Sequence, residues 1–128
     1  MIIAFHHVQV TMPPGREDEA RQFYGGVLRM TERPKPDHLA KRGGVWFFSG
    51  SAEVHLGVEE GFRPALKAHP ALLVSDLTGL KERCERAGFA VNTDPPLPGY
   101  AEGHDRAYVT DPFGNRLEFL EPTELPGV

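Results

Sequence analysis

The alternation of apolar and polar positions divides the chain into short strands and two amphipathic helices. Residues 3–11 (Ile-Ala-Phe-His-His-Val-Gln-Val-Thr) read as a strand. Between Gly15 and Met30 the spacing turns helical: Ala20, Phe23, Tyr24, Val27 and Leu28 form an apolar stripe among Arg16, Glu17, Asp18, Glu19 and Arg21. The acidic residues sit in the first turn, where the helix dipole favours them. Strands are predicted at Met30–Arg33, Val45–Ser49 and Ala52–Val58, the last two joined by a tight Ser49-Gly50-Ser51 turn.

The same order then recurs. Pro70–Val74 reads as a strand and Asp76 as a helix N-cap; Leu77, Leu80, Cys84 and Ala87 line one helical face that Gly88 ends. Strands follow at Phe89–Thr93, Arg106–Thr110 and Arg116–Glu121, the last pair joined by Asp111-Pro-Phe-Gly-Asn115, which has turn chemistry. The chain is therefore expected to be one α+β domain of two tandem βαβββ modules forming a cup-shaped mixed sheet. Module one spans 1–60, a connector 61–68, module two 69–122 and a C-terminal tail 123–128. A module of this size covers one sheet face with its helix and leaves the other bare, and two bare faces can be shared.

Strand alternation shows which side chains lie on those bare faces. Val8, Val10 and Met12 oppose His7, Gln9 and Thr11; Val54, Leu56 and Val58 oppose Glu53, His55 and Gly57; Leu72 and Val74 oppose His69, Ala71, Leu73 and Ser75; Leu117 and Phe119 oppose Arg116, Glu118 and Leu120. If the apolar sides pack on the helices, His7, His55, His69 and Glu118 point into the cup. His69 holds in the second half the place His7 has in the first, and Glu118 the place of His55. Imidazole nitrogens with a carboxylate oxygen suit a divalent transition metal (Fe, Mn, Co, Ni or Zn) and suit calcium poorly. Glu118 is also the candidate catalytic residue, as a ligand or as a mover of protons. His6 is expected on the helix side, and His38 and His104 in loops. Trp46, Phe48 and Tyr108 are candidate substrate walls. The loop Pro95–Gly103, with its Gly hinges, is a candidate lid carrying Tyr100.

Composition narrows the class. A chain of 128 residues with net charge −4 is one ordinary domain. Its cations, including Arg29, Arg33, Lys35, Lys41 and Arg42, are scattered, which argues against a nucleic-acid partner. No apolar stretch is long enough to span a bilayer, and the N-terminus lacks the basic leader and long apolar run of a signal peptide. With one cysteine, Cys84, no intrachain disulfide can form, so a cytoplasmic protein is expected.

These segments carry a family resemblance. Phe5-His-His-Val-Gln-Val-Thr11 resembles the opening strand of the vicinal-oxygen-chelate superfamily, which comprises glyoxalases, bleomycin-resistance proteins and extradiol dioxygenases. Glu19-Ala-Arg-Gln-Phe-Tyr-Gly-Gly-Val-Leu28 is similar to its first helix, and His69-Pro-Ala-Leu-Leu-Val-Ser-Asp-Leu77 to its second opening. The stretch Tyr108-Val-Thr-Asp-Pro-Phe-Gly-Asn-Arg-Leu-Glu-Phe119 resembles its most specific signature. The resemblance implies metal ligands at His7, His69 and Glu118, and a fourth donor at His55, where glyoxalase-I-like members carry a glutamate. That departure sets the chain apart from lactoylglutathione lyases. It has no basic cluster for glutathione carboxylates, Arg106 and Arg116 being the nearest candidates. The resemblance also implies a homodimer and a small-molecule substrate.

Three functions are compatible with these residues. The first is a metal-dependent lyase, isomerase or transferase of glyoxalase or fosfomycin-resistance type, stabilising an enolate or oxyanion. The second is an Fe(II) extradiol dioxygenase, for which one pair of modules is short and no separate acid-base histidine is evident. The third is a metal-free antibiotic-sequestering protein of bleomycin-resistance type, a class that commonly lacks the ligand set present here.

Overall fold

The structure, a computed structural model, describes residues 1–93 and 103–123. The chain divides into two compact units, Met1–Pro64 and Ala65–Val128. Each contains a four-stranded mixed sheet and helical segments, and the fold is α+β.

In the first unit the sheet order is β1-β4-β3-β2. Strand β1 (Val8–Met12) runs parallel to β4 (Ala52–Val58), and β4 is antiparallel to β3 (Val45–Ser49), which pairs with β2 (Thr31–Arg33). Met12, Val45, Phe47, Val54 and Leu56 are buried with Ala20, Phe23 and Tyr24, and the Tyr24 ring stacks 5.5 Å from Phe47. Each large side chain so buried contributes about 1.5–3 kcal/mol.

Three features of this unit depart from the sequence expectation. Strand β1 begins at Val8 rather than at residue 3. Its parallel register sets Val8 opposite Val54, so residues 3–5 run past the start of β4 and find no ladder partner. The expected helix opens as α1 (Glu17–Ala20) and continues as a π-helical segment, Arg21–Val27. There the Leu28 amide donates to the Phe23 carbonyl at 2.9 Å, five residues back; the flexible Gly25-Gly26 pair permits the wider turn. A short helix α2 (Asp37–Ala40) carries no periodic apolar signal. At Gly44, where φ is +83°, a Cβ would collide with the Leu56 carbonyl, so only glycine fits.

In the second unit the order is β5-β8-β7-β6. Strand β5 (Ala71–Leu73) is parallel to β8 (Arg116–Pro122), and β8 is antiparallel to β7 (His104–Thr110), which pairs with β6 (Val91–Asn92). Helix α3 (Leu77–Arg86) is capped by Asp76, whose carboxylate accepts the Gly79 amide at 3.0 Å. Glu121 accepts the Leu77 amide at 3.1 Å, a second cap contributed from β8. Leu77, Leu80 and Cys84 are buried with Ala107, Val109, Leu117 and Phe119 on the covered sheet face. His104, expected in a loop, lies at the start of β7, because the Thr123 amide donating to the Gly103 carbonyl at 2.7 Å extends the hairpin to that point. Strands β5 and β6 are shorter than expected.

The β7–β8 turn sets the register of this sheet. Buried Asp111 accepts the Phe113 amide at 2.9 Å, the Asn115 amide at 2.8 Å and the Asn115 side-chain amide at 2.9 Å. Replacing Asp111 with alanine strands those donors, and the expected loss is about 2–4 kcal/mol, read from the midpoint of denaturant unfolding.

Candidate functional site

In the second unit the uncovered sheet face carries His69, Ala71, Leu73, Arg106, Tyr108, Arg116, Glu118 and Leu120. The pairings Ala71 with Glu118, Tyr108 with Glu118 and Thr110 with Arg116 establish this. Two expected donors meet there: His69 Nε2 lies 2.8 Å from Glu118 Oε1. His69 Nδ1 lies 2.7 Å from the Lys67 carbonyl oxygen, and a carbonyl only accepts, so Nδ1 carries the proton. In neutral His69, Nε2 is then a bare lone pair aimed at a carboxylate oxygen. Two acceptors at that distance require a cation between them, either a proton or a metal ion.

Glu118 is 1% exposed, and its Oε2 has no hydrogen-bond partner among the described residues. Arg106, also buried, reaches to 3.8 Å of that oxygen. A buried carboxylate oxygen that accepts no hydrogen bond is costly. Tyr108 completes the floor. Its ring meets His69 edge-on at 5.7 Å and lies under the guanidinium carbons of Arg106 at 5.2 Å and Arg116 at 4.4 Å.

In the first unit the uncovered face carries His7, Gln9, Thr11, Arg33, Trp46, Phe48, Glu53, His55 and Gly57. The His55 ring is stacked between Trp46 and His7, at 4.1 Å from each. His7 is exposed; its Nδ1 shares a hydrogen bond with His6 Nδ1 at 2.9 Å. His6, expected on the helix side, is exposed. His55 is turned the other way: Nε2 contacts Glu53 Oε2 at 2.7 Å, and Arg33 Nε donates to the other Glu53 oxygen at 3.0 Å. Burial pushes the His55 pKa down, outweighing the pull of Glu53, so His55 is the neutral donor in this contact. The hydrogen bond from His55, with the charge of Arg33 behind it, holds Glu53 below the usual carboxylate range. Phe48 lies under Arg33, 4.3 Å from its guanidinium carbon.

The structure thus brings His69 to Glu118, Arg106 and Tyr108, and His7 to His55 and Trp46. Among the described residues no three or more His, Cys, Asp or Glu side chains are gathered to hold a metal ion; the donors come in pairs. Tyr100 lies outside the described residues. Sequence reasoning missed Glu53 and Arg33 as partners of His55, although Glu53, two residues before His55 on one strand, necessarily shares its face. The Lys67 carbonyl, a backbone group, left no signal.

The sequence profile of the Glyoxalase/Bleomycin resistance protein/Dioxygenase superfamily matches residues 4–119. The chain belongs to that superfamily. A glyoxalase family protein from Bacillus anthracis is 47% identical, covering 95% of this chain and 97% of its own, with a TM-score of 0.87. The fosfomycin resistance protein FosX from Listeria monocytogenes, at 13% identity, shares the fold with a TM-score of 0.73 over 96% of each chain. A glyoxalase/dioxygenase from Nostoc punctiforme, at 18% identity, does so with a TM-score of 0.72, over 93% of this chain and 90% of its own. No curated protein sequence matches the chain significantly.

The lowered pKa of His55 has a consequence for stability. Its contribution is complete above the ordinary value of 6.5 and is lost as pH falls through the lower folded value. Parent protein is therefore expected to lose more unfolding free energy than His55→Gln between pH 7.5 and about 5, in urea titrations at each pH. Equal losses would show that His55 does not titrate differently in the fold.

Proposed function

We propose that this chain is a metal-dependent enzyme of glyoxalase or fosfomycin-resistance type, a lyase, isomerase or transferase. It would act on a small molecule that presents two neighbouring oxygens. The observation that carries this reading is the His69–Glu118 contact, in which Nε2 and a buried carboxylate oxygen lie 2.8 Å apart on an uncovered sheet face. The donors fit a divalent transition metal (Fe, Mn, Co, Ni or Zn), held by His69 and Glu118 together with His7, and with His55 as the fourth member of the set. The hydrogen bond from His69 Nδ1 to the Lys67 carbonyl supports this, since metal-binding histidines commonly anchor their second nitrogen in that way. When bound, the metal supplies Lewis-acid stabilisation of the negative charge that develops on a substrate oxygen.

The chain's own groups have distinct tasks in this reading. Glu118 Oε2, buried and without a hydrogen-bond partner among the described residues, is the acceptor for a substrate proton. Arg106, beside it, sets its positive charge 3.8 Å from that oxygen. Tyr108 gives the uncovered face of the second unit an apolar wall, and Trp46 and Phe48 give the face of the first unit theirs. Tyr100 is retained as a lid residue from the sequence alone.

A homodimer is part of the proposal. Strands β1 and β5 end their sheets, and Ile2, Ile3, Phe5 and Leu73 are more than two-thirds exposed in the single chain, surface that a second copy would cover. No helix among the described residues is long and apolar enough to cross a membrane, and the lone, buried Cys84 suits a reducing cytoplasm.

Metal affinity tests the reading. Parent protein purified without chelator is expected to carry metal, and His69→Ala and Glu118→Gln to lose affinity by more than about 100-fold, beyond the loss typical of outer-sphere changes. Equilibrium dialysis against zinc or cobalt reads this, with circular dichroism to check the fold. If both variants hold metal as tightly as the parent, the reading fails. A turnover screen of metal-loaded protein with 2-oxoaldehyde–thiol adducts, fosfomycin with thiols, and catechols then assigns the reaction.

A further inference from the structure

We infer that Arg116 forms an oxyanion subsite beside the donor pair, so that the substrate carries a carboxylate, phosphonate or phosphate group in addition to its two neighbouring oxygens. The inference rests on the proposed function for the position of the reacting oxygens, and on charge and geometry for the rest.

The uncovered face of the second unit holds two guanidinium groups and one carboxylate, Arg106, Arg116 and Glu118. Arg106 is buried against Glu118, with Nη1 3.8 Å from Oε2, so its charge balances that carboxylate. Arg116 is exposed, and among the described residues no acidic side chain pairs with it; its guanidinium lies over the Tyr108 ring, Cζ 4.4 Å from the centroid. Among the described residues the face therefore keeps one positive charge in surplus.

That charge is also held in place. A guanidinium stacked on an aromatic face loses part of its rotamer freedom before any ligand arrives, while its N–H edges stay free for a planar oxyanion. The same Tyr108 ring meets His69 at 5.7 Å, so the distance from the Arg116 guanidinium to the His69 ring is at most the sum of these two separations. This span fits a molecule of a few carbons, with its vicinal oxygens toward His69 and Glu118 and its anionic end toward Arg116. Two parallel N–H···O bonds from Arg116 would fix which end of the molecule faces the donors.

Inorganic phosphate, titrated calorimetrically into the full chain at low ionic strength with chelator present, tests the subsite independently of any metal. The parent is expected to bind phosphate and Arg116→Ala to bind it at least tenfold more weakly. Arg116→Lys, a point charge without the planar fork, is expected to fall between them. Arg63→Ala, which removes an exposed cation elsewhere, is expected to match the parent, and Arg116→Ala to keep the parent's zinc affinity. A parent that takes up no phosphate, an Arg116→Ala variant that binds like the parent, or an equal loss in Arg63→Ala would each overturn the subsite. Phosphate binding by a chain that never holds metal would leave the subsite standing and remove the proposed function.

Discussion

The Lys67 carbonyl can only accept a hydrogen bond, and this governs the chemistry of the second unit. It takes the proton of His69 Nδ1, which leaves the other ring nitrogen, Nε2, to meet Glu118 at 2.8 Å, with a proton or a metal ion between nitrogen and carboxylate oxygen. Glu118 is almost wholly buried and cannot turn to water for relief. The remaining architecture serves to hold this pair. The Asp111–Asn115 turn sets the β7–β8 register that places Glu118 beside Tyr108, and the Glu118 amide donates to the Pro70 carbonyl at 3.1 Å, tying β8 to the residue that follows His69. The contact is thus a product of strand register, and a one-residue slip would turn Glu118 into the covered face.

The two units use one topology for different electrostatics. In the second, a buried carboxylate meets an imidazole nitrogen at 2.8 Å on one oxygen and a guanidinium at 3.8 Å on the other. In the first, His55 stays neutral and donates to Glu53, which Arg33 also holds, so that carboxylate already has its partners. The stack of Trp46, His55 and His7 gives this face planar, polarisable surface. The uncovered faces thus differ: His69 pairs with Glu118 on one sheet, and His7 and His55 stack with Trp46 on the other.

Much of the fold was legible in the sequence. Strands β3 and β4 follow the expected bounds because alternation and a glycine turn mark them, and α3 follows from its Asp76 cap and the glycine after its end. The start of β1 was not legible, since it depends on where its parallel partner begins. The π-helical segment and α2 are too local and too short for apolar periodicity to reveal. For the site, alternation alone put His69 and Glu118 on one face. It could not show which imidazole nitrogen is engaged, because that depends on a backbone carbonyl in one unit and on a strand neighbour, Glu53, in the other. Arg116 was named in the sequence only as a candidate for carboxylates, and the Tyr108 ring beneath it is what the structure adds.

The most direct test of the account is the nitrogen NMR spectrum of the His69 imidazole as zinc is added. The account predicts that Nδ1 stays protonated throughout while the Nε2 resonance moves to that of a metal-bound nitrogen, one equivalent completing the change. An Nε2 that remains protonated and unmoved by zinc would make the contact with Glu118 an ordinary ion pair and contradict the account.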